Sequence, residues 1–106
     1  MQIGCPTEVK PQEYRVGLTP MAAAEAVAHG HQVLVQAGAG LGAGFADADY
    51  SAAGARLARD AAEVWGAAGL VIKVKEPQPA ERAMLRRGQV LFTYLHLAPC
   101  LLYTSD

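Results

Sequence analysis

The sequence predicts an α/β domain, a parallel sheet covered by helices on both faces. Two observations carry this. Gln32–Gln36, Leu70–Val74 and Gln89–Thr93 are apolar runs too short for helices. Helix start and stop signals lie between them, with the crossover lengths of about a dozen residues that parallel neighbours need.

The elements follow in chain order. Gln2-Ile3-Gly4-Cys5 reads as a strand ending at Pro6, and polar Thr7 to Tyr14 as a loop, with Arg15 just beyond it. Thr19 offers a side-chain oxygen to cap a helix, Pro20 suits its first position, and Met21, Ala24, Val27 and Ala28 recur at helical spacing up to Gly30. Gln32–Gln36 is the second strand. After a glycine-rich loop, Asp47 is expected to cap a short helix through Ala53 that stops at Gly54, with a minor strand at Ala55–Ala58. Asp60 and Glu63 resemble a capping box for a helix carrying Val64 and Trp65. Leu70–Val74 follows as a strand. Pro79 is expected to open a helix with Glu81 in its first turn, Arg86 and Arg87 in its last, and Gly88 as its stop. Gln89–Thr93 is the last strand.

The chain has 106 residues, 52% of them hydrophobic and 18% charged, which excludes a disordered tail. A net charge of −1 points to neither nucleic acid nor an anionic membrane surface. Cys5 and Cys100 stand alone, so neither a zinc pattern nor a disulfide framework is present, and a cytoplasmic setting is expected. The start lacks a signal-peptide profile, and uncharged Val64–Ile72 falls far short of the ~20 residues that span a bilayer. The length accommodates one domain; a two-domain enzyme with a nucleotide cofactor does not fit in it.

Ligands of open parallel sheets bind beyond the carboxyl ends of the strands. Arg15, Lys75 and His96 all follow strands there. Arg offers a planar fork to a carboxylate, Lys a point charge, and His a proton donor or acceptor near neutrality. Together they suit a small carboxylate with a reacting carbonyl beside it. The plainer alternatives are solvated surface charges for Arg15 and Lys75 and a structural histidine for His96, flanked by Leu95 and Leu97. Lys73 shares a face with Lys75 by alternation and competes for its role, but it lies inside the strand, whereas Glu76 and Pro77 place Lys75 at the rim. Glu76 either pairs with Lys75 or is an ordinary loop carboxylate.

Gly38-Ala39-Gly40-Leu41-Gly42-Ala43 matches a relaxed dinucleotide fingerprint after a strand, with Asp60 about twenty residues on. The helix that should seat the pyrophosphate starts late and is short, and Asp60 is taken as a cap, so a tight loop is the preferred reading. His29 and His31 at a helix end suit the dipole better than a metal. Trp65 reads as a core or interface residue. No metal site is expected.

Longer segments carry a resemblance. Ile3-Gly4-Cys5-Pro6-Thr7-Glu8, Glu13 through Pro20, Val35 through Gly40, Gly44-Phe45, Ala52 through Ala55, Val71 through Pro77 and Leu91 through Ala98 resemble the amino-terminal part of alanine dehydrogenase. The resemblance implies a Rossmann-like (flavodoxin-like) fold, truncated here, and the reversible oxidative deamination of L-alanine to pyruvate and ammonium with NAD. It implies that Arg15 and Lys75 bind the substrate carboxylate, that His96 is catalytic, and that NAD binds in a domain this chain does not contain. A homo-oligomer, hexameric in the family, is also implied. The rival in the superfamily is the amino-terminal domain of the nicotinamide nucleotide transhydrogenase α subunit, which opens similarly; Lys75-Glu76-Pro77 and Tyr94-Leu95-His96-Leu97 favour the dehydrogenase. From another class, a stand-alone α/β module with Gly38–Gly44 as its ligand loop is the alternative. Residues 1–98 are expected to form the domain fragment and 99–106 an atypical, truncated or spurious tail. Alone, the chain is expected to lack dehydrogenase activity.

Overall fold

The structure, a computed structural model, describes residues 1–94. Five strands, β1 (Gln2–Cys5), β2 (Gln32–Gln36), β3 (Arg56–Ala58), β4 (Leu70–Lys73) and β5 (Val90–Thr93), alternate with four helices, α1 (Pro20–Ala28), α2 (Asp47–Ala52), α3 (Ala61–Ala67) and α4 (Pro79–Arg82). All strands pair in parallel, in the order β3-β2-β1-β4-β5. Of the doubly wound orders this is the Rossmann one, since β3 sits outside β2. The chain reverses direction across the sheet between β1 and β4, the switch point at which such folds bind ligands.

Alternation along the strands divides the core. Ile3, Cys5, Val33 and Val35 face α1 and α2, where Ala23 and Tyr50 complete one cluster. Leu34, Ala58 and Val64 form a second cluster and Trp65, Ala68, Val71 and Leu91 a third, on the side of α3. Gly4 lets α3 lie directly on β1, because a Cβ there would meet Ala68 Cβ at 2.6 Å and Val64 Cγ1 at 2.8 Å. Trp65 is fully buried and belongs to the core.

The caps at Thr19 and Asp60 form as expected: Thr19 Oγ1 accepts from the Ala22 amide (3.1 Å) and Asp60 Oδ1 from the Glu63 amide (2.9 Å). Two expectations need correction. Asp47 does not cap α2 but is its first residue, preceded by Ala46 as the N-cap. The Asp47 carboxylate instead accepts the Gly38 amide at 2.8 Å, while Asp49 accepts the Ala46 amide at 2.9 Å. Helix α4 stops at Arg82 instead of running to Arg87. The residues beyond it satisfy the open carbonyls at the end of α3: Arg86 donates to Trp65 O (3.1 Å) and Ala68 O (2.8 Å), and Gln89 Nε2 donates to both at 2.8 Å. Among the described residues no helix is long and apolar enough to cross a membrane.

Candidate functional site

The site begins where β1 ends. Pro6 stops the strand, and the Thr7 amide donates to Gln36 Oε1 (2.9 Å), tying the outgoing chain to the end of β2. The loop then crosses the carboxyl end of β4. Glu8 is the anchor of that crossing. Its Oε2 accepts the Val74 amide (2.9 Å), and its Oε1 accepts the Lys75 amide (3.2 Å) and Lys73 Nζ (3.0 Å). Lys73 also stands 3.0 Å from Glu81 Oε2 of α4, and all three side chains are at most 2% exposed. That second contact is a charge contact without hydrogen-bond alignment, because Oε2 receives no aligned N–H. The buried lysine is thus bracketed by two carboxylates, as burial of a charge requires.

Lys10 pairs with Glu76 at 3.0 Å and pins the middle of the loop to the chain leaving β4. Glu76 therefore has Lys10 as a partner, which sequence spacing did not suggest. After Gln12, which has a positive φ of 64°, Glu13 turns its carboxylate inward. Its Oε2 accepts the backbone N–H (2.8 Å) and Nε (3.0 Å) of Arg15, and its Oε1 accepts Nη2 at 2.9 Å. Lys75 Nζ reaches that same Oε1 at 3.8 Å. Arg15 and Lys75, separated by most of the chain, therefore converge on one carboxylate oxygen. Hydrogen bonding to Arg15 and proximity to Lys75 hold the Glu13 carboxyl at about 2, and the same bond raises the Arg15 guanidinium.

The next residues, Val16, Gly17 and Leu18, form a buried strap over β4. At Gly17 a Cβ would lie 2.6 Å from Ile72 O and 2.9 Å from Lys73 Cα, so only glycine permits this approach. Tyr50 Oη donates to Leu18 O at 2.7 Å and fastens the strap to α2; burial pushes its phenol up to about 12. Beside the strap is an open cavity of about 250 Å³ lined by Arg15, Val16, Thr19, Ala43, Phe45, Val74 and Tyr94. Cys5 lies beneath, fully buried, its thiol pushed up to about 12 by burial.

Arg15 and Lys75 thus come together, and Lys73 takes a different part, locked in the buried trio. His96 and Cys100 lie outside the described residues. Glu8, Glu13 and Glu81 were missed in the sequence. For Glu8 and Glu81 the signal was Lys73 itself: a lysine inside an apolar strand needs counter-carboxylates, and these had to come from elsewhere in the chain.

The glycine-rich loop does not fit a pyrophosphate. Its Gly38 amide is taken by Asp47, a Cβ at Gly40 would meet the Tyr50 ring at 2.7 Å, and one at Gly42 would meet Tyr14 O at 3.0 Å. Its glycines serve close packing, and the described helix after it is six residues long. His29 Nδ1 sits 2.8 Å from Glu25 O, a helix-end contact.

The model of the family described as alanine dehydrogenase/PNT, N-terminal domain, matches residues 4–104. The chain belongs to this family. It is 61% identical over 98 residues to an alanine dehydrogenase of Halomonas elongata and 55% identical over 98 residues to one of Mycobacterium tuberculosis, in each case across 92% of this chain and 26% of the relative. The chain thus spans about a quarter of the length of the curated relatives it matches. A solved L-alanine dehydrogenase superposes with a TM-score of 0.88 at 49% identity, covering 98% of this chain and 28% of the other. A transhydrogenase from Sinorhizobium meliloti superposes at 0.82 with 32% identity, covering 88% of this chain and 26% of the other. Both likenesses are to the α/β fold described above, and the alanine dehydrogenase likeness is the stronger in identity and coverage.

Proposed function

We propose that this domain supplies the substrate-carboxylate half of the active site of an alanine dehydrogenase, which interconverts L-alanine with pyruvate and ammonium using NAD. The observation that carries the reading is the convergence of Arg15 Nη2 and Lys75 Nζ on one carboxylate oxygen, at 2.9 and 3.8 Å, beside an open cavity. Two cations so placed can fix the carboxylate of pyruvate or alanine and so orient the neighbouring carbon. His96, by its family resemblance, exchanges the proton at the reacting carbonyl oxygen, a task suited to an imidazole that titrates near neutrality. NAD is assigned to a part of the enzyme other than the glycine-rich loop, whose amide and glycines are engaged in packing. A cytoplasmic homo-oligomer completes the reading. The same engagement of Gly38 and Gly40 disfavours a stand-alone module with that loop as its ligand site.

The test is a graft in which this chain replaces the 98 aligned residues of the Halomonas elongata relative. Pyruvate- and ammonium-dependent NADH oxidation should appear in the graft and be absent from the 106-residue chain alone. Arg15→Ala and Lys75→Ala should each lower kcat/KM for pyruvate by roughly 30- to 160-fold, the equivalent of about 2–3 kcal/mol for a charged hydrogen bond. His96→Asn should cost about 10²- to 10⁴-fold in kcat. Activity within about twofold of the parent for Lys75→Ala would remove Lys75 from the site.

A further inference from the structure

Glu13 has no part in the chemistry just assigned, yet its carboxylate stands between the two cations. Its side chain is 5% exposed while that of Arg15 is 60% exposed. It occupies the Nε/Nη2 edge of the guanidinium and leaves Nη1 with no hydrogen-bond partner among the described residues. Arg15 lines the cavity; Glu13 does not. A ligand approaching through the cavity therefore meets the outer edge of Arg15, with the Glu13 carboxylate behind that guanidinium and Lys75, also outside the cavity lining, 3.8 Å from Glu13 Oε1.

The charges close around this arrangement. Arg15, Lys75 and Glu13 carry a formal +1 together. Behind them Glu8, Lys73 and Glu81 carry a formal −1, and Lys10 is paired with Glu76. One ligand carboxylate meets the +1 rim; a second has no uncompensated cation to meet. The geometry points to Glu13 as the charge-setting specificity residue, which trims the Arg15–Lys75 pair to a rim that accepts a monocarboxylate and turns away a dicarboxylate. This rests on the reading that Arg15 and Lys75 bind a carboxylate. Hydrogen bonding to Arg15 holds the Glu13 acid at about 2, so the carboxylate is ionised near neutral pH.

The experiment is an NMR titration of the full 106-residue chain with pyruvate and with oxaloacetate, followed at the Arg15 and Lys75 amides. Glu13→Gln preserves size and removes the charge; Glu13→Asp preserves the charge and shortens the reach. The affinity ratio of pyruvate to oxaloacetate should fall about twofold in Glu13→Gln, the factor for one unit charge about 8 Å away in water across the guanidinium. It should stay near the parent value in Glu13→Asp even where both affinities drop, a pattern that a purely structural role does not produce. Ala43→Lys adds a cation to the cavity wall without touching Glu13 and should shift the ratio the same way, as a control that the ratio reads charge at this rim; if Glu13→Gln does not fold, Glu13→Ala carries the same expectation. An unchanged ratio in folded Glu13→Gln, or no carboxylate binding by the parent chain, overturns the assignment. Failure of the graft to oxidise NADH with pyruvate overturns the functional reading instead, and the two outcomes are separate.

Discussion

Gly17→Ala tests whether the strap across β4 sets the spacing of the carboxylate site. The new Cβ would lie 2.6 Å from Ile72 O, 2.9 Å from Ile72 C and 2.9 Å from Lys73 Cα, all of them β4 backbone. Ordinary contact begins at 3.4 Å, so the strap must withdraw by about 0.8 Å. No flexible side-chain end is available to yield. The strap is also held from the other side by the 2.7 Å bond from Tyr50 to Leu18 O. Overpacking of this kind costs about 1–3 kcal/mol. Arg15 immediately precedes the strap, two residues before Gly17, and moves with it, whereas Lys75 follows β4 and does not. A misplacement near 1 Å in a positioned site is worth roughly 10²-fold in rate. Urea denaturation of the chain should therefore show a loss of about 1–3 kcal/mol, and kcat/KM for pyruvate in the graft should fall at least about tenfold. Stability within about 0.5 kcal/mol of the parent together with unaltered kinetics would refute the idea that the strap fixes Arg15 against Lys75.

Other outcomes follow from the same contacts. Lys73→Met leaves Glu8 and Glu81 buried with no cation between them and should cost about 3–5 kcal/mol in urea denaturation; a loss below about 1 kcal/mol would contradict the buried trio. Glu13 titrates at about 2 in the folded chain, below its ordinary 4.5, so its stabilisation is complete above the ordinary value and drains as pH falls toward 2. The stability gap between the parent and Glu13→Gln should accordingly narrow between those limits, and a constant gap would count against the pairing. Cys5, with its thiol at about 12, should resist alkylation at pH 8 until the chain unfolds, measured in a Cys100→Ser background; rapid labelling of the native chain would contradict its burial.

What was legible in the sequence was local. Strands β2, β4 and β5 show as apolar runs, and Thr19 and Asp60 announce helix starts because a cap is a contact within four residues. Arg15 and Lys75 were legible as a pair because a parallel sheet puts the ends of its strands on one edge. Two helix boundaries depart from expectation, each where a side chain has a more distant use. Asp47 has the chemistry of a cap but is drawn to the Gly38 amide, and Arg86 looks like a helix-end cation but serves the carbonyls of α3. Glu8 and Glu81 were illegible because their partner lies in another element: Glu8 and Lys73 are 65 positions apart. No periodicity records such a pair; only the requirement that a buried lysine be matched pointed to it. Glu13 bonds Arg15 only two residues on, in a loop where no helical or strand period marks the pair.

The reading proposed for this domain requires Arg15 and Lys75 together to hold the substrate carboxylate. The most direct measurement is a crystal structure of the graft with pyruvate bound. Both carboxylate oxygens should lie within ~3 Å of Arg15 and Lys75 nitrogen donors, on the outer guanidinium edge, with Glu13 still on the Nε/Nη2 edge. Pyruvate seated elsewhere, or held by Arg15 while Lys75 stays on Glu13 alone, would contradict it.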